Sequence, residues 1–148
     1  MRNLYFISSA VFFISSGFVT TFNDCASSGV TYYKLSEALK EADKVNKLDI
    51  SMQKLTAISS DISKLKNLQC LDLSFNKFST LPSEMKDLKR LKYLNLAGTR
   101  HLATVPEVVY QLDSLQVLDI QDHPEWSQEV FDLIVKKIPN VKVIVKTD

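Results

Sequence analysis

Leu68-Gln69-Cys70-Leu71-Asp72-Leu73-Ser74-Phe75-Asn76-Lys77-Phe78 decides how this chain folds. The alternation Leu71-Asp72-Leu73 is that of a short strand with one buried face, because successive side chains of a strand point to opposite sides. The same order returns upstream as Val45, Leu48, Ile50, Gln53 and Leu55. Downstream it returns as Leu91, Leu94, Leu96 and Thr99, reaching Leu102 after one extra residue, and again as Leu115, Leu118, Ile120 and His123. Val141 to Lys146 is a truncated copy with Ile144 in the inner leucine position. The step is 23 residues from Leu48 to Leu71 and from Leu71 to Leu94, then 24 to Leu118 and 26 to Ile144. The second half of each unit repeats too: Leu81-Pro82, Met85 and Leu88 answer Val105-Pro106, Val109 and Leu112, with Ile58-Ser59, Ile62 and Leu65 in the first unit. A period of this length marks a solenoid, whose units bury their open faces only by stacking on one another.

The quoted positions resemble the leucine-rich-repeat family, L-x-x-L-x-L-x-x-N-x-L, over residues 45–146. The 23-residue step with Leu-Pro is similar to the long repeats of bacterial and plant members. The resemblance implies an α/β fold: a short leucine-rich-repeat solenoid with a parallel concave sheet of about 4–5 strands and helical caps at both ends. The domain is expected over 35–148. Its N-terminal cap is expected as a helix over 36–44, with Ser36 as N-cap and Leu35, Ala38, Leu39 and Ala42 as its apolar stripe. Its C-terminal cap is expected as a helix over 125–138 opened by Pro124, burying Val130, Phe131, Ile134, Val135 and Ile138. Glu107–Gln111 reads as a short convex helix or turn. In the asparagine position stand Gln53, Asn76, Thr99 and His123. Four different side chains cannot make one set of bonds, so an irregular turn is expected near residues 99–101.

Outward-facing positions follow from the same alternation. One column is Lys47, Cys70, Tyr93, Val117 and Val143; the next is Asp49, Asp72, Asn95, Asp119 and Val145. Ser51, Ser74, Ala97 and Gln121 come next, then Met52, Phe75, Gly98 and Asp122. Apolar side chains ringed by polar ones suit a protein partner. The candidate contact set is therefore Asp49, Met52, Asp72, Phe75, Tyr93, Asn95 and Asp119. Two bland readings stand beside it: the acids as solvated decoration, and Phe75 tucked against Phe78.

Residues 1–24 differ from the rest. Arg2 is the one charge before Asp24, and Leu, Phe, Ile and Val dominate between them, as in a signal peptide or a membrane anchor. Residues 25–34 read as a linker. For Cys25 three readings are open: lipidation as in bacterial lipoproteins, removal by a cut after Ser28, or an ordinary structural cysteine. Phe22-Asn23-Asp24 departs from the small residues that a lipidation signal places before its cysteine.

The remaining composition excludes several classes. Lys plus Arg number 18 against 17 for Asp plus Glu, a net charge of +1, which supplies no basic face for nucleic acid. The three glycines form no phosphate-binding spacing, and Cys25 and Cys70 form no C-x-x-C pair. His101 and His123 are the only histidines and belong to no catalytic motif. No enzyme activity, metal or cofactor is expected. The expected function is an exported protein-binding module acting through its concave face, secreted or attached to the bacterial cell envelope. The partner is a protein, with a glycan as the second choice, and the membrane is touched only through an N-terminal lipid or anchor. The alternative is a structural or adhesion component of that envelope.

Overall fold

The computed structural model describes Cys25 and residues 29–145 of the 148. The proposed signal or anchor over residues 1–24 lies outside the described residues. Six strands form one parallel sheet in chain order: β1 (Thr31–Tyr32), β2 (Lys47–Asp49), β3 (Cys70–Asp72), β4 (Tyr93–Asn95), β5 (Val117–Asp119) and β6 (Lys142–Ile144). The stretch expected as a linker thus contributes β1, which pairs Thr31 with Lys47 and Tyr32 with Leu48. Lys47, Cys70, Tyr93, Val117 and Lys142 stand in register across β2 to β6.

The last strand corrects the sequence reading by one residue. Leu118 pairs with Val143, not Ile144, so Val143 packs on the main core and Ile144 faces the concave side. Val141 to Val145 is apolar at nearly every position, and such a strand does not declare its faces through alternation. Lys142 does: it stands in the outward column, and its neighbours follow.

Leu48, Leu71, Leu94 and Leu118 of β2 to β5 are fully buried, as are Leu65, Leu68, Leu88 and Leu91 on the return legs. One continuous core therefore runs the length of the solenoid. The convex side is built from three short 3-10 turns, Ser60–Lys64, Ser83–Asp87 and Glu107–Gln111. Each is preceded by a residue in the same extended conformation: Ser59 (φ −64°, ψ 138°), Pro82 (−65°, 140°) and Pro106 (−60°, 142°). Proline has that φ built into its ring. Ser59 reaches the same angles and takes the Asp61 N–H on its hydroxyl at 3.2 Å.

The caps differ from expectation in detail. At the N-terminal end, α1 (Leu35–Ala38) passes into a 3-10 segment over Leu39–Lys44. Ser36 lies inside its first turn; Lys34 holds the N-cap place and makes no side-chain cap bond. Tyr32 ties β1 to this cap by donating its hydroxyl to Glu41 at 2.6 Å. At the other end, α2 (Gln128–Lys137) starts later than residue 125. Its buried side chain is Ile134, with Val130 and Phe131 packed beside it. Lys137 pairs with Glu107 and sits 4.4 Å over the Tyr110 ring, fastening α2 to the last convex turn.

Candidate functional site

Of the four outward columns, the three that carry the candidate contact residues have different fates. In the acidic column, Asp49, Asp72, Asn95 and Asp119 lie in register. Each accepts the backbone N–H two residues on: Ser51 at 3.0 Å, Ser74 at 2.9 Å, Ala97 at 2.9 Å and Gln121 at 3.2 Å. The column therefore closes the turn after each strand, which a side-chain carbonyl does as well as a carboxylate. The second Asp72 oxygen accepts from Asn95 at 2.9 Å, and the second Asp119 oxygen from Gln121 at 3.0 Å. These residues were expected as a solvent-facing rim. Asp119 is buried instead, at 6% exposure. Burial raises its carboxyl above the ordinary range, with repulsion from Asp72 adding to it and hydrogen bonds from Gln121 and Tyr93 opposing.

The strand-start column is closed at its centre, between a half-buried Lys47 and an exposed Lys142. Cys70 and Val117 have no exposed surface and Tyr93 keeps 5%. They form a second apolar cluster, separate from the main core, with Cys25 and Ile144. Cys25 and Cys70 are joined by a disulfide, their Cα atoms 5.9 Å apart, within the usual span of such bonds. Tyr93, expected as an open apolar anchor, is thus under cover. Its hydroxyl donates to Asp119 at 3.5 Å, and burial, aided by Asp119 and Asp72, holds it well above the usual phenol range. The two cysteines stand 45 residues apart and form no C-x-x-C pair, so their spacing does not announce the bond. The signal that was available is Cys70 in an outward column: a cysteine there needs either a cover or a partner. The lipidation reading of Cys25 meets a direct physical obstacle, since a sulfur spent in a disulfide cannot carry a lipid thioether.

The turn column remains open in its first two repeats. Met52 is 74% exposed and Phe75 49%. Met52, Phe75, Gly98 and Asp122 all take positive φ, between 54° and 62°, a conformation that suits glycine best. The turn is nonetheless part of the sheet. Met52 N–H donates to Ser74 O at 2.9 Å, Phe75 N–H to Ala97 O at 2.8 Å and Gly98 N–H to Gln121 O at 3.0 Å. The Phe75 ring lies over Gly98, while Phe78 is buried in the main core; a Cβ on Gly98 would stand 2.4 Å from a Phe75 ring carbon. Glycine at 98 makes room for the aromatic ring of the repeat before it.

The asparagine ladder has one full rung. Asn76 accepts from Gln53 N–H at 3.1 Å and Leu55 N–H at 3.0 Å, and donates to Ile50 O and Leu73 O at 2.9 Å each. Thr99 is too short for this and donates its hydroxyl to Leu96 O of its own repeat. His123 recovers part of the reach, its Nε2 lying 3.0 Å from Leu96 O and its Nδ1 3.1 Å from Glu125. Its ring stacks on Trp126 at 3.9 Å, and Trp126 donates its indole N–H to Leu102 O at 2.8 Å. Both side chains are buried, so His123 is the seat of the C-terminal cap. Trp126, three residues after it, was the unread sign that the rung and the cap are one unit.

Among the described residues, no group of three or more His, Cys, Asp or Glu is placed to hold a metal ion. Among them, too, no helix is long and apolar enough to cross a membrane.

This geometry, a parallel sheet of short strands stacked at a step of 23 to 25 residues around one continuous leucine core, defines a leucine-rich-repeat solenoid. A sequence model of the family described as a leucine-rich repeat region matches residues 22–142, and the chain belongs to that family. Proteins of this family are typically binding modules without enzymatic activity, and their partners are generally proteins. Among solved structures, a leucine-rich-repeat protein of Leptospira interrogans matches with a TM-score of 0.50 and 24% identity. The match covers 79% of this chain and 35% of that one, so the chain spans about a third of its length and shares its fold. No curated protein matched.

Proposed function

We propose that this chain is an exported, non-enzymatic protein-binding module whose contact surface is the turn edge of its concave sheet. The supporting observation is the pair Met52 and Phe75, two apolar side chains left exposed on adjacent repeats in a backbone conformation that costs an ordinary residue about 1–2 kcal/mol. Asp49, Asp72 and Asn95 flank them as a polar rim. Large apolar side chains beside satisfied polar groups are the composition of a contact centre. The surface is small, and affinity gains if the partner engages several copies at once. Tyr93 and Asp119 leave the contact set because they are buried.

Export is supported by two independent features. One is the uncharged apolar stretch before Asp24. The other is the Cys25–Cys70 disulfide, since such bonds persist in oxidising compartments and are rare where glutathione keeps thiols reduced. A module outside the cytoplasm is the reading that accommodates both.

The test is quantitative capture of partners from the outer surface of the source cell, with Met52→Ala/Phe75→Ala compared with the unaltered protein. Lys86→Ala, on the convex side, serves as control. The proposal expects capture to be lost in the double variant and kept in the control. Equal capture by both variants places the contact surface elsewhere.

A further inference from the structure

The disulfide limits where an export signal can be removed. Cys25 and Cys70 are both buried, and together with Tyr93, Val117 and Ile144 they make the second apolar cluster. A cut after Ser28 would carry Cys25 away, leave Cys70 without its partner and remove one member of the cluster that holds Tyr93 and Val117. Lipidation of Cys25 would consume the sulfur that bonds Cys70. Any cut compatible with this fold lies on the N-terminal side of Cys25.

The sequence there offers one place. Arg2 supplies the basic tip, and residues 4–14 form the apolar stretch, within the ~7–15 residues of a signal core. Ser15-Ser16-Gly17 follows at once. A signal peptidase needs small residues at the first and third positions before the cut. Between Ile14 and Cys25, Ser15 and Gly17 are the only such pair drawn from Ala, Gly and Ser. Phe18, Val19, Phe22, Asn23 and Asp24 block the other frames.

We propose that the exported chain is cut between Gly17 and Phe18, and that Cys25 is retained in the mature protein as the partner of Cys70. Water adds across the Gly17–Phe18 peptide bond, leaving a carboxylate on Gly17 and a new amine on Phe18. The two thiols then become a disulfide by exchange with an oxidised dithiol protein of the export compartment, which takes up the two electrons and two protons. This inference rests on the export reading.

The experiment expresses the full chain in a bacterial host, fractionates the cells and reads the N-terminus and non-reduced peptides by mass spectrometry. The expected product is extracytoplasmic, begins at Phe18 and yields a peptide joining Cys25 to Cys70. Gly17→Arg lies outside the described fold and is expected to abolish the cut product. Cys25→Ser is expected to leave cutting unchanged. An N-terminus at any other residue, or loss of processing with lipid on Cys25 in the unaltered chain, overturns the proposal. An uncut chain in the membrane fraction overturns the cut while leaving export standing. An uncut chain in the cytoplasm overturns export itself, and location rather than terminus tells the two failures apart.

Discussion

Two columns of the concave sheet flank the same row of acids and meet opposite ends. The strand-start column of Cys70, Tyr93 and Val117 is covered, while Met52 and Phe75 of the turn column are open. Strand alternation aims both outward, and alternation alone does not set exposure. A residue distant in sequence, Cys25, is joined to one column through a covalent bond and belongs to the apolar cluster that buries it. A left-handed turn holds the other in solvent. In a short solenoid the exposed face is what neighbouring segments leave uncovered, here the turn edge rather than the strand centres, and the proposed contact surface lies there for that reason.

The largest break in this comparison should come from the staple. Cys70→Ser removes a link closing 45 residues and should cost about 4 kcal/mol in chemical denaturation, the loop-closure value for that length. Reduction of the unaltered protein should lower stability by the same amount. Next comes the ladder. Asn76→Ala takes the side-chain partner from two half-buried N–H groups and two buried carbonyls and should cost about 3 kcal/mol. Thr99→Ala loses the bond to Leu96 O and a long contact of 3.5 Å with His123 Nε2, and should cost about 1 kcal/mol by the same measurement.

Phe75→Ala should separate stability from binding. The ring's cover over Gly98 is lost while the strained backbone stays, giving a stability change of about 1 kcal/mol. Partner capture should fall far more than that small change accounts for.

The smallest effect concerns pH. Asp119 has a raised folded-state pKa, so the fold takes up its proton more readily than the unfolded chain does. Through this group, stability should rise as pH falls through the carboxylate range and decline again as pH rises. Asn95 already closes the equivalent turn with an amide. Asp119→Asn should therefore remove this pH dependence in paired denaturation curves, the amide oxygen keeping the turn bond to Gln121 N–H while the bonds from the Gln121 side chain and Tyr93 are given up.

The solenoid was legible because its evidence is periodic. Leu48, Leu71, Leu94 and Leu118 repeat one environment, and each confirms the others. What was not legible is what periodicity does not carry. Cys25 lies outside the repeats, so its bond to Cys70 and the burial of Tyr93 could not be deduced from spacing. The register of β6 was missed because apolar residues stand on both faces, Val143 inward and Ile144 outward, although Lys142 marked the outer one. The turn column was found, yet its positive φ was not, because only Gly98 advertises that conformation. Met52, Phe75 and Asp122 adopt it because the N–H of the turn is drawn into the ladder regardless of side chain, as the bonds of Met52 and Phe75 show.

Hydroxyl-radical footprinting of the oxidised protein tests the central claim most directly, because Tyr33, at 62% exposure, provides an internal reference for Tyr93. The expected result is rapid labelling of Met52, Phe75 and Tyr33 with Tyr93 protected, and a rise in Tyr93 labelling when the disulfide is reduced. Labelling of Tyr93 at the rate of Tyr33 in the oxidised protein would contradict the account.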